Sequence, residues 1–238
     1  MTRALSISCI IPAYNEAPRI GAVLDAVLGH PLIDEVIVID DGSSDGTAEA
    51  AEAHGQDAPA LRVVRQPRNG GKTRAVTRGI TEARGSHILL LDSDLLGPEA
   101  EQVAVEHLSA LILPVLERRA EATISLRRNA PLIWRMIGID YISGERVMPR
   151  RLLANQTEAL LNLPRFGLEV FINRLWLAEG LHIAIVRWPE VESPYKHAKR
   201  GGWIDGLRAD IAMLGDIFRT VPPAETMRQV VALRSRRV

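Results

Sequence analysis

An α/β fold, with a predominantly parallel central sheet flanked by helices, is what this sequence predicts, and three observations carry the reading. Short runs rich in β-branched and other apolar residues alternate with segments of helical periodicity through the first hundred positions. The runs are apolar almost without interruption, the pattern of strands covered on both faces. Four of them end in polar or glycine-rich clusters, and open parallel sheets bring such strand ends to one rim, where ligands bind.

In order, "LSISCIIP" reads as a strand, "APRIGAVLDAVLGH" as a helix, "IDEVIVIDD" as a strand and "DGTAEAAEAHG" as a helix. "ALRVVRQ", "KTRAVTRGITEAR" and "HILLLDSD" repeat the alternation as strand, helix and strand. After about residue 98 the pattern changes to a helical stretch ending near Leu116, a strand "AEATISL", helical segments near 150–162 and 168–179, and a strand "LHIAIVRW". A last segment places Trp203, Leu207, Ile211, Leu214 and Phe218 at helical spacing. No internal repeat or low-complexity linker divides the chain, so residues 1–238 are expected to form a single domain, the second half completing the first.

The 238 residues carry 29 basic and 29 acidic side chains. Zero net charge gives no global field to attract nucleic acid or an anionic membrane. The only cysteine, Cys9, lies in the apolar run "SISCII", which excludes an internal disulfide framework and fits a reducing compartment. No run approaches the roughly 20 apolar residues needed to span a bilayer, and the N-terminus lacks a cleavable-signal pattern. A cytoplasmic protein is expected.

Chemistry concentrates at the strand ends. In "LLLDSDLLG", Asp92 and Asp94 stand two apart where a strand gives way to a turn, so both carboxylates can converge on one hard cation that also binds substrate phosphates. The same spacing alone also suits Asx-turn residues ending a strand. In "PAYNE", Pro12 and Tyr14 offer an apolar wall with a polar tip, suited to a flat base. Glu16 and Asp41, the latter from "IDDGS", can accept hydrogen bonds from base or ribose.

Together "CIIPAYNE", "VIVIDDGSSDGT", "RNGGKTRAVTRGI" and "ILLLDSD", in that order, resemble the family 2 branch of the GT-A nucleotide-sugar transferases, closely through residues 5–98 and more loosely beyond. The resemblance implies a Rossmann-like GT-A domain, residues 1–98 binding the nucleotide sugar and 99–238 the acceptor. It implies that Pro12, Ala13, Tyr14 and Glu16 form the nucleoside-binding first loop and that Asp41 contacts the base while Asp40 supports the turn. Lys72 matches the basic residue near the diphosphate. Asp92, Ser93 and Asp94 match the D-x-D motif that holds Mg²⁺ or Mn²⁺.

Acceptor choice is expected in the second half. "SGERVMPRR" supplies Arg146, Arg150 and Arg151, and "PYKHAKR" supplies Lys196, His197, Lys199 and Arg200; the two basic clusters suit an anionic small molecule or a polyprenyl phosphate, with solvated surface charge as the alternative. Glu169 in "FGLEV" resembles the family's acidic residue facing the acceptor, although Val170 stands where an acidic pair is common; as catalytic base it would deprotonate an acceptor hydroxyl, while a structural role at a helix N-terminus is the other reading. The combination of "DSDLLGP", "SGER", "FGLEV" and a later histidine also resembles glucosyl-3-phosphoglycerate synthases, which implies His197 as a third metal ligand, an exposed histidine in a basic loop being the alternative. The chain resembles polyprenyl-phosphate sugar synthases as well; the last helix and "LRSRRV" are then candidates for peripheral contact with the inner face of the membrane, with a core-facing stripe of Trp203, Leu207, Ile211 and Leu214 as the alternative. The competing classes are a non-catalytic nucleotide-sugar-binding protein of the same fold and a nucleotidyltransferase.

Overall fold

The computed structural model describes residues 5–95, 105–128, 130–163, 167–188 and 221–238. Its strands are β1 (Ile7–Ala13), β2 (Glu35–Asp40), β3 (Leu61–Arg65), β4 (His87–Leu90), β5 (Ala122–Arg127), β6 (Arg146–Pro149) and β7 (Ile183–Trp188). They form one seven-stranded sheet in the order β3-β2-β1-β4-β6-β5-β7. All ladders are parallel except the two made by β6, which runs antiparallel to β4 and β5.

The helices are α1 (Ala17–Val27), α2 (Thr47–His54), α3 (Lys72–Glu82), α4 (Val105–Leu116), α5 (Leu132–Ile137), α6 (Arg151–Ala154), α7 (Thr157–Leu161), α8 (Gly167–Ala178) and α9 (Pro223–Ser235). Successive strand residues face opposite ways, so Cys9, Ile11, Val36 and Val38 join one core with Leu24 of α1 and Leu111 of α4. Ile10, Ile37 and Ile39 join the other, with Val76 of α3, Trp176 of α8 and Leu233 of α9. Both faces are therefore covered, which is why the strands read as continuous apolar runs. Cys9 is a fully buried core residue, and burial pushes its thiol well above the ordinary range.

Three elements depart from the sequence reading: the short helix α5, the strand β6 and the C-terminal helix α9. The four residues of β6 lie in a stretch that suggested no strand, because so short a segment shows no period of its own. The C-terminal helix α9 opens after Pro222 with Pro223 in its first turn, where the missing N–H costs nothing. Leu233, the first residue of "LRSRRV", is buried in the core, and Arg236 donates to the Gly180 carbonyl at 2.7 Å.

Among the described residues no helix is long and apolar enough to cross a membrane. The helical stripe from Trp203 to Phe218 and the basic cluster Lys196, His197, Lys199 and Arg200 lie outside the described residues.

Candidate active site

Because β1, β2, β3 and β4 run parallel, the loops that follow them meet at one edge of the sheet. The first two interlock. Asn15, in the left-handed region at φ 54°, donates its amide to Ser43 Oγ at 3.0 Å and accepts the Ser44 amide on Oδ1 at 2.9 Å. The Glu16 amide donates to Thr47 Oγ1 at 2.8 Å, and Asp45 accepts the Ala17 amide at 3.1 Å. Tyr14 stands out from this braced loop with 47 % of its surface exposed, whereas Ala13 is buried.

The paired aspartates after β2 divide their work. Asp40 Oδ1 accepts the Ser43 amide at 3.1 Å and closes the turn. Asp41 is buried and reaches the next loop: Oδ1 accepts Gln66 Nε2 and the Gly70 amide, each at 2.9 Å, and Oδ2 accepts the Gly71 amide at 2.7 Å. Gly42 is tightly enclosed. At φ +71° its Cβ position lies 2.5 Å from the Arg68 carbonyl carbon, so both conformation and space demand glycine.

Asp41 thereby holds the Gly70–Gly71 turn that opens α3. Gly71 adopts φ 87° and Lys72 is the first helical residue. The Lys72 ammonium lies 2.8 Å from Asp92 Oδ1, beyond the end of β4, and 3.1 Å from Glu169 Oε1, in the first turn of α8. Desolvation pushes this ammonium down, but Asp92 and Glu169 outweigh it and hold its pKa above the ordinary lysine value. The lysine stays charged. Ser93 is buried between the two aspartates.

Glu16 accepts a hydrogen bond from Arg19 Nε, and its carboxylate and those of Asp94 and Asp45 hold the Arg19 guanidinium above its usual pKa against partial desolvation. Farther along the rim, Arg127 at the end of β5 is likewise held protonated despite burial by Glu145, Asp140, Asp92 and Asp94. Among the described residues no cluster of three or more His, Cys, Asp or Glu side chains forms a metal cage. Two carboxylates at a strand end nevertheless fit Mg²⁺ or Mn²⁺, hard cations that take one or two protein carboxylates and complete their shell with phosphate oxygens and water.

Residues 8–119 match Glycosyl transferase family 2. The chain is 35 % identical to a human (Homo sapiens) dolichyl-phosphate beta-glucosyltransferase, the match covering 78 % of this chain and 68 % of that protein. The chain belongs to the family 2 glycosyltransferases. A dolichyl-phosphate beta-glucosyltransferase from Trichomonas vaginalis is 37 % identical over 36 % of this chain, which spans only 28 % of that protein's length. Among solved structures, the glucosyl-3-phosphoglycerate synthase of Mycobacterium tuberculosis in complex with Mn²⁺, UDP-glucose and glycerol 3-phosphate superposes with a TM-score of 0.64 at 25 % identity, over 91 % of this chain and 80 % of that one. The GT-A architecture expected from the sequence is thus matched in topology and in family.

The same edge of the sheet carries Pro12, Tyr14, Glu16, Asp41, Ser93 and Asp94 together with the ion-paired Lys72, Asp92 and Glu169. Two expectations need correction. Arg146, read as acceptor-binding, is fully buried: Nε donates to the Ser143 carbonyl at 2.7 Å, Nη1 to Asn173 Oδ1 at 2.6 Å and Nη2 to the Tyr141 carbonyl at 2.9 Å, over the Trp176 ring. Such an arginine ties β6 to α8 and is not available to an acceptor. Arg150, also read as acceptor-binding, sits at the opposite edge, because β6 runs backwards: Pro149 pairs with His87 at the start of β4, and Arg150 Nε donates to the Gly85 carbonyl at 2.9 Å. Arg151 follows it there and pairs with Glu179 at 3.1 Å.

The sequence did not single out Arg19 or Arg127, nor Gly144, whose Cβ position lies 2.5 Å from Asp92 Oδ2. Arg19 lay three residues beyond a motif glutamate, a weak helical-spacing signal. Arg127 carries no local signal and Gly144 only that of the Ser-Gly turn in "SGER"; the sheet order brings both near Asp92.

Proposed function

We propose that this chain is a metal-dependent glycosyltransferase that moves a sugar from a UDP- or GDP-sugar to an anionic acceptor, either a phosphorylated small molecule or a polyprenyl phosphate. The observation that carries the reading is the meeting of Lys72, Asp92 and Glu169 from three separate elements at the ligand rim, with Asp94 two residues on. Residues 1–98 then form the donor half and 99–238 the acceptor half of one domain. A cytoplasmic location with peripheral contact at the inner membrane face accompanies the lipid-phosphate acceptor.

Transfer breaks the bond between the anomeric carbon and the diphosphate, and the leaving group gathers negative charge. Lys72, held protonated and aimed by the Asp41-bound turn, neutralises part of that charge without reorganising. Asp92 and Asp94 would hold the divalent ion, which supplies further charge neutralisation on the diphosphate when bound; His197 is proposed as a third ligand. Glu169, mostly buried and charge-paired with Lys72, is the proposed base for an acceptor hydroxyl. An acceptor phosphate needs no such base, and Glu169 then serves to hold Lys72. Pro12, Ala13 and Tyr14 are proposed to flank the base, Ala13 through its backbone. Asp41 is proposed to reach the base with the accepting capacity its three internal hydrogen bonds leave. Lys196 and Arg200 are the remaining proposed acceptor contacts.

The test is a panel of UDP- and GDP-sugars with Mn²⁺ and the purified protein, read by nucleoside diphosphate release. Release with one donor, reduced about a thousandfold in Asp94→Ala at unchanged thermal stability, is the expected result. Donor binding without release, with or without added anionic acceptors, would favour a non-catalytic binder. Pyrophosphate release would identify a nucleotidyltransferase.

A further inference from the structure

Behind Asp92 lies a buried polar cluster that takes no direct part in the site described above. The turn from Ser143 to Arg146 passes so close to Asp92 that a Cβ on Gly144 would meet Oδ2 at 2.5 Å and both Cγ and Oδ1 at 2.7 Å. Three atoms of one carboxylate at such distances mean that the group lies flat against the glycine backbone. A methyl group there would push the carboxylate out of its position beside Lys72.

The turn itself cannot retreat. Glu145 is fully buried, and its Oε2 accepts Ser125 Oγ at 2.7 Å and Ser143 Oγ at 2.8 Å. Its Oε1 faces Arg127 Nη1 at 3.4 Å, and its amide donates to Ser143 Oγ at 3.2 Å. The Glu145 carbonyl accepts the Ser125 amide at 3.1 Å, fastening the turn to β5. On the other side Arg146 Nε holds the Ser143 carbonyl. A buried carboxylate with its partners in place is costly to disturb, since every displaced group loses a hydrogen bond that water cannot replace.

We propose that Glu145, held by Ser125, Ser143 and Arg127, is a positioning residue: it fixes Gly144 as a side-chain-free wall for the Asp92 carboxylate and so sets the site's affinity for a divalent cation together with a nucleoside diphosphate. The inference rests on the reading of Asp92 as a donor-site residue. Removing the supports of a metal-binding carboxylate typically weakens metal binding by roughly 10–100-fold, so Gly144→Ala and Glu145→Ala are expected to fall in that range, and Glu145→Gln, which keeps shape and acceptor oxygen, to fall less.

The experiment measures Mn²⁺ binding by electron paramagnetic resonance in the presence of UDP and, separately, GDP, with thermal unfolding of each full-length variant alongside. Asp92→Asn serves as reference. Weakened Mn²⁺ affinity in Gly144→Ala and Glu145→Ala, graded recovery in Glu145→Gln, and all variants folded at the assay temperature is the expected result. If Gly144→Ala does not fold, the graded pair at Glu145 decides. Lower melting temperatures with wild-type Mn²⁺ affinity, while Asp92→Asn loses binding, would overturn the positioning role and leave the donor-site reading standing. Equal affinity in wild type and Asp92→Asn would overturn both.

Discussion

Glu35 at one edge of the sheet and the pair Asp92 and Glu169 at the other are held in opposite ways. At the N-terminal edge, Glu35 accepts Ser8 Oγ and the Arg84 amide, each at 2.6 Å, the Gly85 amide at 3.3 Å and Arg62 Nη2 at 2.9 Å. Arg62 also reaches Glu82, which pairs with Arg78, so charge is balanced within the protein. Burial alone would raise the Glu35 pKa, but these donors hold it below the ordinary value. At the C-terminal edge, Asp92 and Glu169 share the ammonium of Lys72. Glu35, finished by backbone amides and a hydroxyl, serves the scaffold, whereas Asp92 and Glu169 gather about one lysine on an accessible rim. Arg150, bonded to the Gly85 carbonyl, likewise serves the scaffold.

Exchanging the lysine tests the difference most strongly. Lys72→Met is expected to lower the transfer rate by about 100- to 1,000-fold, the scale of losing one preorganised donor to a developing oxyanion. Its melting temperature should change little, because the ion pairs are partly exposed. A steady-state assay beside a thermal melt checks both, and a large loss of stability with unchanged turnover would make Lys72 scaffold rather than site.

Glu35→Ala should behave inversely. Leaving the Ser8, Arg84, Gly85 and Arg62 donors without their acceptor should cost about 3 kcal/mol of stability, measured by urea unfolding, with turnover per folded molecule unchanged. Since the folded pKa lies below the unfolded value of about 4.3, the carboxylate's stabilisation is complete above that pH. It is lost as acidification passes through the folded pKa, and the variant's acid limb should be flatter.

Asp140 sharpens the contrast. It is buried, and Arg127 Nη2 stands 3.8 Å away. Desolvation outweighs the attraction of Arg127 and Arg146, with Glu145 adding repulsion, and pushes its carboxyl up to about 6. Between about pH 4 and 6 the folded state holds a proton that the unfolded state has released, so stability falls as pH rises through that window. Asp140→Asn should remove this slope and raise stability at pH 8 by on the order of 2 kcal/mol. Unfolding curves at pH 4, 6 and 8 decide it, and an unchanged slope would place the titration elsewhere.

Arg150→Ala is the smallest expected effect. It should cost about 1 kcal/mol for the lost bond to Gly85 and leave the KM of an anionic acceptor unchanged. A raised KM would return Arg150 to the acceptor site.

The first half of the fold was legible because its information is local. "CIIPA", "IVIDD" and "ILLLDSD" each combine an apolar strand with a polar end, and the parallel arrangement alone sends those ends to one rim. Lys72 and Glu169 could be named as residues but not as neighbours, since they are 97 positions apart and meet only when α3 and α8 pack on the same face. Of the two basic clusters of the second half, the first was misread for a related reason. In "SGERVMPRR" the arginines look equivalent, yet Arg146 is enclosed by Trp176 and Asn173 while Arg150 and Arg151 lie at the far edge.

By itself the sequence determined the strand–helix alternation, the two-faced burial of the strands and the chemistry of the motif loops, because β-branched runs, glycine turns and carboxylate spacing act over a few residues. The tertiary structure alone decided the direction of β6, the burial of Arg146 and the contact of Gly144 with Asp92. Those depend on pairing between segments distant in the chain, and a four-residue strand has no periodicity from which its partners or its direction can be read.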